Sequence, residues 1–62
     1  MNLSDIISKI KATDLMGHAV YAANHYDYGG LVYIIRIALD ADRTFTMKFG
    51  EVDDLANLIR TH

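Results

Sequence analysis

The chain has 62 residues, 52% of them hydrophobic, and a formal net charge of -2 at pH 7. This length fits one domain, residues 1–62, near the lower size limit for an unaided hydrophobic core. The absence of cysteine excludes disulfides and thiolate chemistry, and the acidic balance disfavours non-specific binding to nucleic acid. There is no signal-peptide pattern and no apolar run of membrane-spanning length, so we expect a cytosolic protein without membrane contact.

Residues 2–11 predict an amphipathic helix. Asn2 is a suitable N-cap, because its side chain can accept an N–H of the first turn. Residues 12–17 are then expected to connect this helix to a sheet. The apolar side chains follow the i, i+3, i+4, i+7 spacing of one helix face; they are Leu3, Ile6, Ile7 and Ile10.

Residues 18–49 predict a three-stranded antiparallel meander, with strands at residues 18–28, 31–39 and 44–49. The central run is rich in β-branched and aromatic residues, and Gly29-Gly30 fits a two-residue hairpin turn. Only one register aligns the apolar rows of the second and third strands, and it leaves residues 41–43 as a short loop.

A helix over residues 14–25 is the alternative to the first strand. Its apolar residues also fit helical spacing, and alanine favours helices; they are Leu15, Met16, Ala19, Val20 and Ala23. We prefer the strand because its register agrees with the double-glycine turn. The sequence leaves the choice open for residues 14–26.

Residues 51–60 predict a second amphipathic helix, and Gly50 is expected to end the third strand. Acidic residues in its first turn and Arg60 in its last turn suit the helix dipole. Its apolar stripe contains Val52, Leu55, Ala56 and Ile59. The predicted fold is therefore a two-layer α+β domain of order α-β-β-β-α, with both helices on one face of the antiparallel meander.

The uncovered face of this sheet is the first candidate interaction surface. Large aliphatic side chains there gain nothing from water, and Arg36 would lie opposite Lys48, so the patch has the character of a protein interface. The alternative is a sheet whose outer face is only moderately polar. The hypothesis requires Ile34 to be exposed in a monomer. The candidate contact residues are Tyr21, His25, Val32, Ile34, Arg36 and Lys48.

Acidic side chains form the second candidate surface. They cluster at the tip of the second hairpin and at the start of the last helix, as Asp40, Asp42, Glu51, Asp53 and Asp54. Such a cluster can mimic nucleic-acid phosphates toward a basic partner. The alternative is local, because carboxylates in turns and at helix starts bond nearby amides and interact with the helix dipole.

The sequence contains no convincing catalytic or metal motif. His18 and His25 fall on opposite faces of the predicted strand, and no two histidines have metal-ligand spacing. Gly29-Gly30 lacks the rest of a phosphate-binding loop. We therefore expect no cofactor and no enzymatic activity.

The order α-β-β-β-α over this length resembles the double-stranded-RNA-binding domain. That family carries a basic run at the start of its last helix, whereas residues 50–57 read GEVDDLAN here, so we expect no direct contact with nucleic acid. Small ribonuclease toxins of the HicA type are similar in topology and size, and their catalytic histidine follows a glycine on a strand. Gly17-His18 matches that dipeptide, and the resemblance implies an alternative function as an enzyme that uses His18 or His25.

Short, cysteine-free, mildly acidic domains without a catalytic motif resemble phage-encoded inhibitors of bacterial defence, such as anti-CRISPR proteins. This resemblance implies a non-enzymatic module in the bacterial host cytosol. Such a module binds a larger protein or nucleoprotein complex and blocks it by surface occupation or acidic mimicry. A structural homo-oligomer subunit is a further alternative, because a homodimer adds buried area to a small chain.

Overall fold

The computed structural model describes residues 2–39 and 46–61, and this part of the chain folds into four α-helices. No β-strand occurs in these two ranges. The predicted α+β class is therefore wrong, together with its three-stranded meander and its two layers. The helices are α1 (Leu3–Lys11), α2 (Met16–Asn24), α3 (Tyr28–Leu39) and α4 (Phe49–Thr61).

The predicted first helix is confirmed as α1. The side chain of Asn2 accepts the backbone N–H of Asp5 at 2.8 Å and so caps the start of the helix. Lys9 and Lys11 lie in the last turn, where positive charge interacts favourably with the helix dipole. The buried stripe consists of Ile6, Ile7 and Ile10.

The predicted first strand, residues 18–28, is wrong, because most of it lies in α2. The buried side chains Ala19, Ala22 and Ala23 recur at i, i+3 and i+4 and therefore share one face of a helix. Alanine loses no side-chain entropy in a helix, which favours this conformation. The alternative of a helix over residues 14–25 describes this segment better, and α2 occupies the middle of that range.

The predicted central strand, residues 31–39, is also wrong, because it forms most of α3. Leu31, Ile34 and Ile35 are buried at helical spacing. Tyr33 and Ile37, which the strand interpretation places inside, are 61% and 40% exposed. A run in which nearly every position is apolar satisfies a period of two and a helical period equally well. The observed burial follows the helical period.

Gly29-Gly30 does not form the predicted hairpin turn. Both glycines lie in the first turn of α3, and neither has a positive φ. The Asp27 side chain accepts the backbone N–H of Gly30 at 2.9 Å, which is the hydrogen bond of an N-cap. The carboxylate thus satisfies an N–H that has no acceptor within the helix. This cap starts a helix where the two glycines alone indicate a turn.

The third predicted strand is absent from the part of it that the structure describes, residues 46–49. Residues 41–45, which include the predicted loop, lie outside the described residues, and residues 46–48 have no regular secondary structure. α4 begins at Phe49, so Gly50 lies inside a helix instead of ending a strand. The predicted apolar stripe of the last helix is confirmed as buried; it contains Val52, Leu55, Ala56 and Ile59.

The four helices share one hydrophobic core. α1 and α2 each pack against both α3 and α4, so the apolar stripe of each helix faces its neighbours. No polar or charged residue of the described part is buried, so burial of apolar surface supplies the stability of this core. Fully covered side chains include Ile10, Ala19, Leu31, Ile35 and Leu55.

Candidate binding surfaces

The residues predicted to form an exposed sheet face are dispersed over α2 and its C-cap, α3 and the segment before α4. Four of them are exposed: Tyr21 on α2, His25 at its C-cap, Arg36 on α3 and Lys48 just before α4. Val32 is half-buried, and Ile34 is only 7% exposed. Because Ile34 is covered within the monomer and the described ranges contain no strand, the sheet-face interface and its pairing of Arg36 with Lys48 are abandoned.

The predicted acidic surface is described only in part. Asp40 and Asp42 lie outside the described residues. The acids at the start of α4 are Glu51, Asp53 and Asp54, of which Glu51 and Asp54 are exposed. Asp53 is half-buried and accepts a short hydrogen bond from the Tyr28 hydroxyl. This carboxylate therefore has a structural partner within the chain.

The connection between α2 and α3 holds Tyr26 in an unusual backbone conformation. Its φ is 55°, in the left-handed region that glycine favours. The Asp27 N–H donates to the Ala22 carbonyl at 2.8 Å, and the Tyr26 N–H donates to the Ala23 carbonyl at 3.2 Å. These two bonds define a Schellman motif, whose left-handed residue is usually glycine. A tyrosine at this position costs about 1 kcal/mol of backbone strain.

The Tyr26 ring is exposed and yet held in place. It is 69% exposed, and the central guanidinium carbon of Arg60 lies 4.8 Å from its centroid, within cation–π range. Arg60 also donates to the Ala23 carbonyl and, at 3.2 Å, to the side-chain oxygen of Asn57. The guanidinium is thus fixed between α4 and the end of α2, and it orients the ring above it.

Tyr28 connects Tyr26 to a further exposed ring on α4. The Tyr28 centroid lies 6.5 Å from that of Tyr26 and 5.8 Å from that of Phe49, and both pairs are edge to face. Phe49 is the first residue of α4 and is 71% exposed. We call the continuous row of Tyr26, Tyr28 and Phe49 the aromatic strip.

The hydroxyl of Tyr28 is fixed by Asp53. The hydrogen bond to the carboxylate, followed by desolvation and the Asp53 charge, raises the pKa of Tyr28 above its ordinary value, because ionisation would place a phenolate against a carboxylate. The central ring of the strip is therefore held both by its neighbouring rings and by a bond at its polar end. The strip presents aromatic side chains that are already oriented.

A second apolar surface lies between α2 and α3. An open groove of about 370 Å³ is lined by residues from both helices, with His18 and Asp27 as its titratable members besides tyrosine. Its exposed large hydrophobic walls are Tyr21 at 64%, Tyr33 at 61% and Ile37 at 40%. We call the groove and these walls the α2–α3 face.

The two helices of the α2–α3 face carry almost no charge. Within their bounds, α2 contains no Asp, Glu, Lys or Arg, and α3 contains only Arg36. The other helices do carry charged side chains on their outer sides, among them Asp5, Lys9, Glu51 and Asp54. The exposed residues of α2 thus carry no formal charge but are not all apolar, because His18 and Asn24 lie beside Tyr21 on its outer side.

The described histidines, His18 and His25, have separate environments. His25 stacks on Tyr21 with 3.9 Å between ring centroids, and its Nδ1 donates to the Tyr21 carbonyl at 2.9 Å. His18 lines the groove. Within residues 2–39 and 46–61, no three His, Cys, Asp or Glu side chains are grouped so as to hold a metal ion. None of the helices in that part has the length and apolar character needed to cross a lipid bilayer.

Sequence reasoning missed Tyr26 and Phe49 as exposed residues. The strand interpretation places both rings in the inner apolar rows. Asp27 was the available signal for Tyr26, because an aspartate directly before an apolar run marks the start of a helix and puts Tyr26 in the preceding turn. For Phe49 the alternation of residues 44–49 gives no comparable signal.

No family model, curated protein or solved structure matches this chain. The resemblance to the double-stranded-RNA-binding domain and to HicA-type toxins depended on the order α-β-β-β-α, which the described residues do not have. The aromatic strip and the α2–α3 face are therefore the basis for inferring a function.

Proposed function

We propose that this chain is a non-enzymatic protein-binding module that docks on a larger protein through the aromatic strip. We further propose that it acts in the cytosol as an inhibitor, by occupying its partner's surface, like the small phage-encoded inhibitors that it resembles in size and charge. The observation that carries the proposal is Tyr26, an exposed ring held on a left-handed backbone position.

Tyr26 carries a backbone strain that glycine would not have. Glycine at this position would remove about 1 kcal/mol of backbone strain. The cation–π contact with Arg60 recovers about 0.5–1 kcal/mol at an exposed site. The ring also contacts Tyr28 edge to face, and most of its surface still faces water. Because backbone strain is concentrated at functional sites, a role of the exposed ring in binding accounts for this arrangement.

The strip also has the properties of an efficient binding surface. Aromatic side chains contribute a large contact area with few rotatable bonds, and tyrosine is enriched among residues that dominate binding energies. The contacts to Arg60 and Asp53 hold the rings before a partner arrives. Binding therefore loses little side-chain entropy, which is otherwise a large cost of association.

The chemistry around the strip favours a partner surface with Lys or Arg beside apolar side chains. Glu51 and Asp54 are exposed in the first turns of α4, close in sequence to Phe49. Aromatic faces attract cations, and Arg60 already lies over Tyr26 in this way. Proteins that bind nucleic acid carry basic patches of this kind, so a nucleoprotein complex is the proposed class of partner.

The test uses Tyr26→Gly, which removes the ring and also relieves the backbone strain. The matched control is Tyr33→Ala, which removes an equally exposed tyrosine from the α2–α3 face. Proteins retained from a host lysate by the wild type and lost by Tyr26→Gly are purified. Each is then titrated calorimetrically against all three chains, with heats expressed per chain.

We expect Tyr26→Gly to remain folded and to weaken binding of the purified partner at least about tenfold, which is the effect of losing a central aromatic contact. Tyr33→Ala should stay within about twofold of the wild type. The proposal is contradicted if no protein distinguishes wild type from Tyr26→Gly, or if Tyr33→Ala weakens binding as much as Tyr26→Gly does.

A further inference from the structure

We propose that the groove of the α2–α3 face binds a small organic ammonium ion, a molecule with one positive charge at the end of an apolar or aromatic body. The residues that line the groove are separate from the aromatic strip, so this inference goes beyond the proposed function. The observation that carries it is the composition of the described lining, in which one carboxylate, that of Asp27, lies among apolar and aromatic side chains.

The size of the groove suits a small molecule. Its volume of about 370 Å³ falls near the lower end of the range for small-molecule sites, about 300–1,000 Å³. Along α3 the lining extends from Gly30 to Ile37, a length of about 10 Å at 1.5 Å per residue. Small-molecule sites are mostly apolar, with a few polar groups that orient the ligand. A single aromatic ring with a short alkylamine chain fits within this length.

The charge of the groove is negative. With histidine counted as neutral at pH 7, Asp27 carries the only formal charge among the described residues that line it. Its Oδ1 atom accepts the Gly30 N–H, and an ionised carboxylate has a second oxygen that can accept further hydrogen bonds. An ammonium group supplies both N–H donors and the opposite charge, and such charge-assisted bonds are stronger than neutral ones. The same carboxylate repels an anion.

Gly30 allows this charge to lie at one end of the groove. A Cβ at Gly30 would be 2.6 Å from the Asp27 Oδ2 atom, so the carboxylate lies directly against the backbone of α3. Asp27 and Gly30 belong to the end at which α2 and α3 are joined, whereas Leu15 and Ile37 lie about two turns further along the two helices. The groove is thus charged at one end and apolar at the other, as an amine with an apolar body requires.

Two tyrosine rings form walls of the groove, one from each helix. Tyr21 and Tyr33 are 64% and 61% exposed, so a ligand in the groove can contact both of them. Aromatic faces attract cations within about 6 Å, in addition to their apolar contact with the body of the ligand. Tyr33 lies one turn from Gly30 and therefore close to the charged end. The rings and the carboxylate favour the same class of ligand.

The experiment titrates the wild-type chain with 2-phenylethylammonium chloride at constant ionic strength, up to about 50 mM, so that weak binding is detected. The backbone amide and tyrosine ring signals are followed by NMR. Three further probes are matched to this one. 3-Phenylpropionate reverses the charge, 2-phenylethanol removes it, and Nα-acetyl-lysine methylamide keeps an ammonium group on a chain without the aromatic ring.

Asp27→Asn is the main variant, because asparagine caps a helix as well as aspartate does but carries no charge. Asp5→Asn is the matched control, because Asp5 is an exposed carboxylate in the first turn of α1 and lies outside the groove lining. Tyr33→Ala removes one aromatic wall. The amide spectrum of each variant shows whether it keeps the four helices.

We expect saturable shifts of the Gly30 amide and the Tyr33 ring, with a dissociation constant of about 1–10 mM for a ligand of this size. Asp27→Asn and Tyr33→Ala should each weaken binding at least about threefold, whereas Asp5→Asn should leave it nearly unchanged. 2-Phenylethanol should bind more weakly than the amine, and 3-phenylpropionate should not saturate. If Tyr33→Ala does not fold, the comparison of Asp27→Asn with Asp5→Asn decides.

Several outcomes overturn the proposal. Without saturable shifts at the groove there is no ammonium site, and binding of the anion or the alcohol as tight as that of the amine would show that charge is not recognised. Equal weakening by Asp5→Asn and Asp27→Asn would have the same meaning. Equally tight binding of the lysine derivative would point to a protein's lysine as the occupant. Shifts of the groove signals on concentrating the chain alone would point to a second copy.

Discussion

At the scale of single residues, Tyr26 combines a strained backbone with an exposed ring that is proposed to bind a partner. Its backbone is left-handed, and its ring lies over Arg60. Removal of the ring and relief of the backbone strain can be measured separately, because alanine removes only the ring whereas glycine does both. Tyr26→Gly should therefore be more stable than Tyr26→Ala by about 1 kcal/mol in urea-induced unfolding. Equal stability of the two variants would contradict a left-handed Tyr26.

Tyr28 gives the structure a testable response to pH. Its pKa is raised mainly because its hydroxyl donates to Asp53. A group whose pKa is higher in the folded state than in the unfolded state stabilises the fold at pH values below its unfolded-state pKa, which is about 10 for tyrosine. This stabilisation is lost as the pH rises through the folded-state pKa. We therefore expect part of the phenolate absorbance of the folded chain to appear at a higher pH than that of exposed tyrosines.

Two variants test whether Tyr28 is the tyrosine that ionises at the higher pH. Tyr28→Phe should remove this ionisation, leaving three of the four tyrosines. Asp53→Ala should move it back toward the ordinary tyrosine range, because alanine removes both the hydrogen-bond acceptor and the negative charge. A titration curve that Asp53→Ala leaves unchanged would show that Asp53 does not hold the Tyr28 hydroxyl.

At the scale of elements, the start of α3 shows how one carboxylate decides between a turn and a helix. Asp27 bonds the Gly30 N–H, and a Cβ added to Gly30 would lie 2.6 Å from the Asp27 Oδ2 atom. At Gly29 the nearest atom would be 3.8 Å away, an ordinary contact. Gly29→Ala should therefore stabilise the fold by up to about 1 kcal/mol through helix propensity. Gly30→Ala should give no gain, because the cap, worth about 1 kcal/mol, must move.

The control for this pair is Asp27→Ala. In that background the crowding at Gly30 is gone, so Gly30→Ala should stabilise the helix as Gly29→Ala does. Chemical denaturation of the single and double variants measures the coupling. A Gly30→Ala variant that is as stable as Gly29→Ala in the presence of Asp27 would contradict the close approach.

The first and last helices could be predicted because several independent signals agreed. Asn2 is a cap, and the isoleucines of α1 repeat only with a helical period. In α4 the acidic start, Arg60 in the last turn and the stripe ending at Ile59 all point to a helix. Agreement among local signals made these elements predictable from the sequence.

The middle of the chain could not be predicted in the same way. Residues 31–39 are apolar at nearly every position, so their pattern fits a strand and a helix alike. Gly29-Gly30 favours the strand unless Asp27 is recognised as the cap of a helix. The candidate surface shared this error, because Ile34 was placed outside and Tyr26 inside. Tyr21 and the exposed acids of α4 kept their exposure because their positions are outward in either structure.

At the scale of the whole molecule, the outer surface is divided between charged helices and apolar ones. α1 and α4 carry most of the charge in the described residues, and α2 and α3 carry large exposed apolar side chains. This division yields two separate surfaces. The aromatic strip beside α4 is proposed to meet a partner.

The proposed function depends on residues 16–39 forming two helices joined at Tyr26. The most direct test is the set of Cα chemical shifts of the wild-type chain in solution, together with the backbone coupling constant of Tyr26. We expect helical shifts over Met16–Asn24 and Tyr28–Leu39, an interruption at residues 25–27 and a positive φ at Tyr26. Strand-like shifts over residues 31–39, with cross-strand contacts on either side of Gly29-Gly30, would contradict the account.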